Sequence, residues 1–241
     1  MTVLHLADEG EAADLAAFLS RLLHYDRSAA VRLQAAGTAL AVFGRPPSFE
    51  VLAVRTVRLA KPYEHGLDAT LDVTVSAGEL LESVDERSAT ARVPGAVTGP
   101  PWAGVLPPRG GWRAEPGLPA PDALRALVAA AVAEFRARTE ELAAEERTRA
   151  ALDGIGREIW SRTVGDTGLP VRAVHAAQSL GFLRPRGASG PGTGAGIGIS
   201  TGSGEDAPRL FSSGAWLRLR TPFGSVALRR AGTGALGISV R

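Results

Sequence analysis

Hydrophobic and polar positions recur along the chain with two periods, and those periods predict its elements. Residues 3–6 read as a short strand. Asp8 or Glu9 then opens a helix whose apolar positions, Ala12, Leu15, Ala16, Leu19, Leu22 and Leu23, lie three and four apart. Carboxylates at Asp8, Glu9 and Glu11 suit the positive end of that helix dipole. Alternation predicts strands over residues 30–35, 38–43 and 49–59, separated by Gly37 and by Arg45-Pro46-Pro47-Ser48 as in antiparallel neighbours. The third pattern is only half clean, because Leu52 and Val54 alternate with Val51, Ala53, Arg55 and Val57. A strand over residues 67–75 follows, and Ser76 caps a short helix to Val84.

Residues 89–121 are rich in Pro and Gly and read as a surface crossing pinned by Trp102 and Trp112. Beyond it, Leu124, Leu127, Val128, Ala131, Val132, Phe135 and Leu142 draw the apolar stripe of a helix over residues 121–144. A second helix over 148–162 carries Leu152, Ile155, Ile159 and Trp160, and is weakened by Gly154 and Gly156. A third over 169–180 opens at Pro170 and stops at Gly181. Residues 187–204 hold eight glycines and read as a flexible loop. Strands over 209–212, 215–220 and 225–230 end the chain, the last two joined at Thr221-Pro222-Phe223-Gly224.

The elements define an α+β protein: an N-terminal antiparallel sheet with two helices, then a helical region ending in a β-hairpin. The expected divisions are a sheet domain over residues 1–88, a Pro/Gly/Trp-rich connector over 89–120, and a helical region over 121–241 containing the glycine loop.

Composition narrows the chemistry. The 241 residues include no cysteine, which excludes disulfide frameworks, thiolate metal sites and cysteine nucleophiles together. Residues 1–6 lack the basic and apolar regions of a signal peptide, and no apolar run approaches the roughly 20 residues that span a bilayer. A cytoplasmic protein with no membrane association is expected. Net charge is +2, but it is unevenly placed: residues 1–150 carry −4 and residues 151–241 carry +6, all of the latter's cations being arginine. That asymmetry permits an anionic partner for the C-terminal part.

Motifs for catalysis or cofactors are weak. Gly198-Ile199-Ser200-Thr201-Gly202 fits G-x-S-x-G, but it lies in a Gly/Ser run rather than between a strand and a helix. No phosphate loop is present, and His5, His24, His65 and His175 form no metal-ligand spacing. Glu140, Glu141, Glu145 and Glu146 read as a wet helix face. No catalytic residue, metal site or cofactor is expected, and the chain reads as non-enzymatic.

The C-terminal third resembles a winged helix-turn-helix domain over residues 148–230, carried by two helices ending at Ser179-Leu180-Gly181-Phe182-Leu183 and a following hairpin. The resemblance implies that Arg172, His175, Gln178 and Ser179 face DNA while Val171, Val174, Ala177 and Leu180 are core. On the hairpin, alternation puts Trp216, Arg218 and Arg220 on one face, with Arg229 and Arg230 across the turn as further phosphate contacts. Over residues 3–84 the element order is similar to one repeat of the DNA sliding-clamp fold. DNA association through the C-terminal arginines is therefore the first functional expectation. A protein-interaction or scaffold role for the long helix and Trp102/Trp112 is the second. An enzyme or small-molecule binder whose site assembles only on folding is the third.

Overall fold

The computed structural model describes residues 2–60, 71–184 and 207–230. The glycine loop and Ser200 lie outside the described residues. The fold is α+β, as the alternation predicts. Its strands are β1 (Val3–His5), β2 (Ala30–Ala36), β3 (Ala39–Gly44), β4 (Leu52–Arg58), β5 (Asp72–Ser76), β6 (Val84–Asp85), β7 (Thr90–Arg92), β8 (Arg113–Glu115), β9 (Arg209–Ser213), β10 (Trp216–Thr221) and β11 (Gly224–Arg229). Its helices are α1 (Glu9–Tyr25), α2 (Ala77–Glu82), α3 (Pro121–Glu141), α4 (Arg149–Ser161) and α5 (Val171–Ser179).

One eight-stranded antiparallel sheet dominates, in the order β5-β2-β3-β4-β11-β10-β9-β8. Its first four strands come from the N-terminal half; of its last four, β8 comes from the connector and β9, β10 and β11 from the C-terminal end of the described chain. They meet where β4 pairs with β11, Val54 opposite Ser225 and Ala53 opposite Val226. The divisions expected at residues 88 and 120 therefore divide the sequence but not the sheet. A three-stranded sheet, β1-β7-β6, lies beside it. The expected connector is thus not bare: it supplies β7, which pairs with β1, and β8, which edges the large sheet.

The two faces of the large sheet differ. One bears Val31, Leu33, Leu40, Val42, Val57, Leu217, Leu219 and Val226, all buried. It packs under α1 and α5. Asp8 caps α1 by accepting the Glu11 N–H at 2.9 Å, and Ala12, Leu15, Phe18, Leu19 and Leu22 are buried. Phe18, which is not among the expected apolar positions, is buried while Ala16 is only half-buried, and its ring stacks on Phe182, 5.7 Å between centroids. On the other face Phe43, Leu52 and Val54 lie beneath Trp102 and Leu106 of the connector. This explains the untidy alternation of β4: a central strand covered on both faces needs apolar residues on both.

α5 ends as predicted. Gly181 takes φ +76°, and the Phe182 N–H reaches the Ala177 carbonyl at 2.7 Å, closing the last turn. α3 and α4 are docked by an exposed ion network. Arg138 grips Glu158 with bonds of 2.9 and 2.8 Å, and Arg162 joins Glu134 at 2.5 and 2.7 Å and Glu158 at 3.0 Å. Hydrogen bonds from Arg138 and then Arg162 hold the Glu158 carboxyl down at about 2. A carboxyl depressed by folding stabilises above its unfolded value and loses that contribution as pH falls through its folded value. Thermal stability of the parent should therefore fall between about pH 4.5 and 2 more steeply than that of Glu158→Gln, followed by circular dichroism. Equal slopes would show that the network contributes nothing.

Candidate functional site

The hairpin residues singled out in the sequence come together on the connector-side face of the sheet. Leu217 and Leu219 point into the core, so Trp216, Arg218 and Arg220 point the other way. Register places Arg229 opposite Trp216, with its guanidinium 5.6 Å from the indole centroid. β9 adds two residues that the sequence did not single out. Arg209 stands directly opposite Arg220, and Phe211 opposite Arg218. Arg209 lies 5.5 Å from the Phe211 ring centroid, and Arg218 lies 5.7 Å from that of Trp112, which the connector brings over the sheet. The signal for Arg209 was the Arg-x-Phe alternation on β9, readable only once β9 is paired with β10.

The electrostatics of this face are one-sided. Among the described residues, Arg209, Arg218, Arg220 and Arg229 form no ion pair with a carboxylate, whereas arginines elsewhere do, such as Arg32 with Asp72 at 2.7 Å and Arg184 with Asp14 at 2.6 Å. Like charges directly opposite each other on neighbouring strands, as Arg209 and Arg220 are, destabilise the pairing. Arg218 donates from Nε to Ser225 Oγ at 2.9 Å, and burial together with the Arg220 charge pushes its guanidinium below the usual arginine value. Arg230 differs from its neighbours, because it bonds Glu115 at 2.9 Å. Four cations on one hairpin should repel one another unless an anion or a carboxylate lies opposite, and for Arg230 a carboxylate of the fold does.

The same face continues into a cavity of about 710 Å³ under the connector, lined by Phe43, Val54, Leu106, Arg32, Arg109 and Arg218. Arg32 is committed there. Its bidentate grip holds the Asp72 carboxyl below the usual range, and it also donates to the Ala103 carbonyl.

The helix residues are placed differently from what the winged-helix resemblance implies. α5 is packed against α3, α4 and β11, and Val171, Ala173, Val174, Ala176 and Ala177 are buried. Of its polar residues only Gln178 is exposed; Arg172, His175 and Ser179 are half-buried. Arg172 lies toward Glu50, with Nε 3.7 Å from its carboxylate. His175 stacks on Trp160 with centroids 4.6 Å apart, and burial pushes its imidazole below the usual histidine range. Arg172, His175 and Gln178 thus present no common outward row.

Arg172 and His175 instead belong to a second cavity, of about 690 Å³. Its aromatic wall is assembled from five separate segments. Tyr25 meets Phe49 at 5.1 Å, Phe49 meets His175 at 5.0 Å, and Trp160 continues toward Phe135 at 6.2 Å. Gly156 forms part of this wall. A Cβ there would sit 3.4 Å from Trp160 and 3.6 Å from Phe135, at ordinary contact distance, so both rings pack directly on this turn of the helix. Among the described residues, no group of three His, Asp or Glu side chains could hold a metal ion, and no helix is long and apolar enough to cross a membrane.

The chain is thus built on an antiparallel sheet with an arginine-and-aromatic face, assembled from two halves. Residues 107–233 match the family described as Domain of unknown function (DUF8185), more than half of the chain, and the chain belongs to that family. Residues 1–104 match a second family, described as Domain of unknown function (DUF8010). The boundary between them falls in the connector over the sheet face. No curated protein and no solved structure matches the chain.

Proposed function

We propose that the protein binds nucleic acid, in single-stranded form, across the sheet face that carries Arg209, Phe211, Trp216, Arg218, Arg220 and Arg229. The observation that carries this reading is the opposed pair Arg209/Arg220, two cations held side by side without a carboxylate, among rings that a base can stack upon. A phosphate between the two guanidiniums would relieve their repulsion. Stacking of a base on an aromatic side chain contributes about 1–3 kcal/mol and tolerates any sequence, because every base has a π-face. The mode follows the sheet and not α5, whose groove-facing positions are largely packed. A cytoplasmic location goes with this proposal.

The test is fluorescence anisotropy with a labelled oligodeoxythymidylate. If four arginines each neutralise a phosphate, single-strand affinity should fall on the order of 50-fold between about 50 and 200 mM salt. Arg209→Glu/Arg220→Glu should remove most binding while leaving the circular dichroism spectrum intact. A duplex of the same length should bind more weakly. Absence of binding at low salt, or equal binding by the reversed variant, would overturn the reading. Stronger retention of the duplex would return the role to the helices.

A further inference from the structure

The cavity between α1, the turn at Pro47–Phe49, α4 and α5 is separate from the arginine face and carries its own chemistry. Its volume of about 690 Å³ falls in the range of small-molecule sites. The wall is a run of rings, Tyr25, Phe49, His175, Trp160 and Phe135, and planar faces of this kind favour a planar ligand. Two cations of the lining stand out: Arg157 is exposed and forms no ion pair among the described residues, and Arg172 has a buried donor that is left unfilled. Arg172 Nε is buried with no hydrogen-bond partner, and its nearest carboxylate, Glu50 at 3.7 Å, is beyond hydrogen-bonding distance. The Glu50 side chain is itself largely exposed. Its backbone holds φ +52°, a left-handed conformation that non-glycine residues seldom adopt. A buried donor without an acceptor is costly, and a guanidinium offers two parallel N–H groups matched to a carboxylate. Arg149, also on the lining, is already engaged with Asp153.

We propose that this cavity binds a small aromatic carboxylate, its ring against Trp160 and Phe49 and its carboxylate on the Arg172 guanidinium. The ligand enters as an anion and leaves unchanged; no bond is made or broken. The rings set the apolar length of the ligand, and Arg172 sets its charge.

Indole-3-acetate is a suitable probe, with indole-3-acetamide as its uncharged isostere. Isothermal titration of the full chain should give saturable binding of the acid at least about tenfold tighter than of the amide, the difference expected of one charge-assisted hydrogen-bonded pair. Arg172→Leu should erase that difference, and Arg172→Lys should restore only part of it, since a lysine lacks the paired donors. The four tryptophan indole N–H resonances locate the site. Trp160 should shift on titration, while Trp102, Trp112 and Trp216 stay in place. No saturation, equal affinity for acid and amide, or a shift confined to Trp216 would each overturn the proposal. Because Trp216 belongs to the arginine face, the last outcome would move the anion to that surface.

Discussion

Arg55→Ala is expected to destabilise the protein by about 3 kcal/mol, the lower end of the cost of breaking a buried ion pair. Arg55 is only 7% exposed although it lies in a sheet strand. It reaches Asp14 at 2.8 Å and Glu11 at 3.5 Å from Nη2, and donates from Nη1 to the Phe223 carbonyl at 2.7 Å. One side chain thereby ties α1 and β4 to the β10–β11 turn. Truncation leaves the Phe223 carbonyl without this donor and takes one of two arginine partners from each of two partly buried carboxylates. Asp14 keeps Arg184 at 2.6 Å, and Glu11 keeps Arg58 at 2.8 Å, which is why the low end of the range applies. In urea the midpoint should fall with an unchanged slope. For a domain of this size, the melting temperature should drop by about 6–12 °C. A loss below about 1 kcal/mol would place the cluster among ordinary surface pairs.

Gly224→Ala should cost a similar amount, about 3 kcal/mol, for a steric reason. The added Cβ would lie 2.5 Å from Phe182 Cε1 and 2.6 Å from Cζ, well inside contact distance. Phe182 cannot swing aside, since it is 3% exposed and stacked on Phe18. The backbone at Gly224 also holds φ +153°, which a side chain resists. Gly214→Ala is the control. It sits at φ +54° with nothing within 4 Å of its Cβ, so it should show only the left-handed penalty of about 1–2 kcal/mol. Equal losses at the two sites in denaturant titration would show that the ring yields and that strain alone governs the turn.

Both residues illustrate what could and could not be read along the chain. Long periodic runs carry their own signal: α1, α3, α4, β2, β3 and the terminal hairpin stand where their patterns place them, within a residue or a few. Alternation also puts Arg218 and Arg220 on the side away from Leu217 and Leu219. Strands of two or three residues, such as β6, β7 and β8, are too short to show a period, and the last two are hidden within the Pro/Gly-rich connector. Arg55 alternates with apolar residues like any half-exposed strand cation. Its burial comes from Asp14, 41 positions earlier, and from the Phe223 carbonyl, 168 positions later. The ring wall around His175 draws on residues from Tyr25 to Trp160, and no local spacing announces such an assembly. Arg209 opposite Arg220 is likewise a product of register.

The four-plus-four construction of the large sheet has a consequence for how the two family segments can exist. β4 and β11 are interior strands only because they cover each other. A chain severed in the connector would turn both into open edges, each a row of unfilled N–H and C=O groups flanked by buried apolar residues such as Ala53, Val54 and Val226. Such edges are templates for pairing. Either fragment alone would recruit copies of itself, whereas the two together would each cap the other's edge and could reconstitute the sheet in trans.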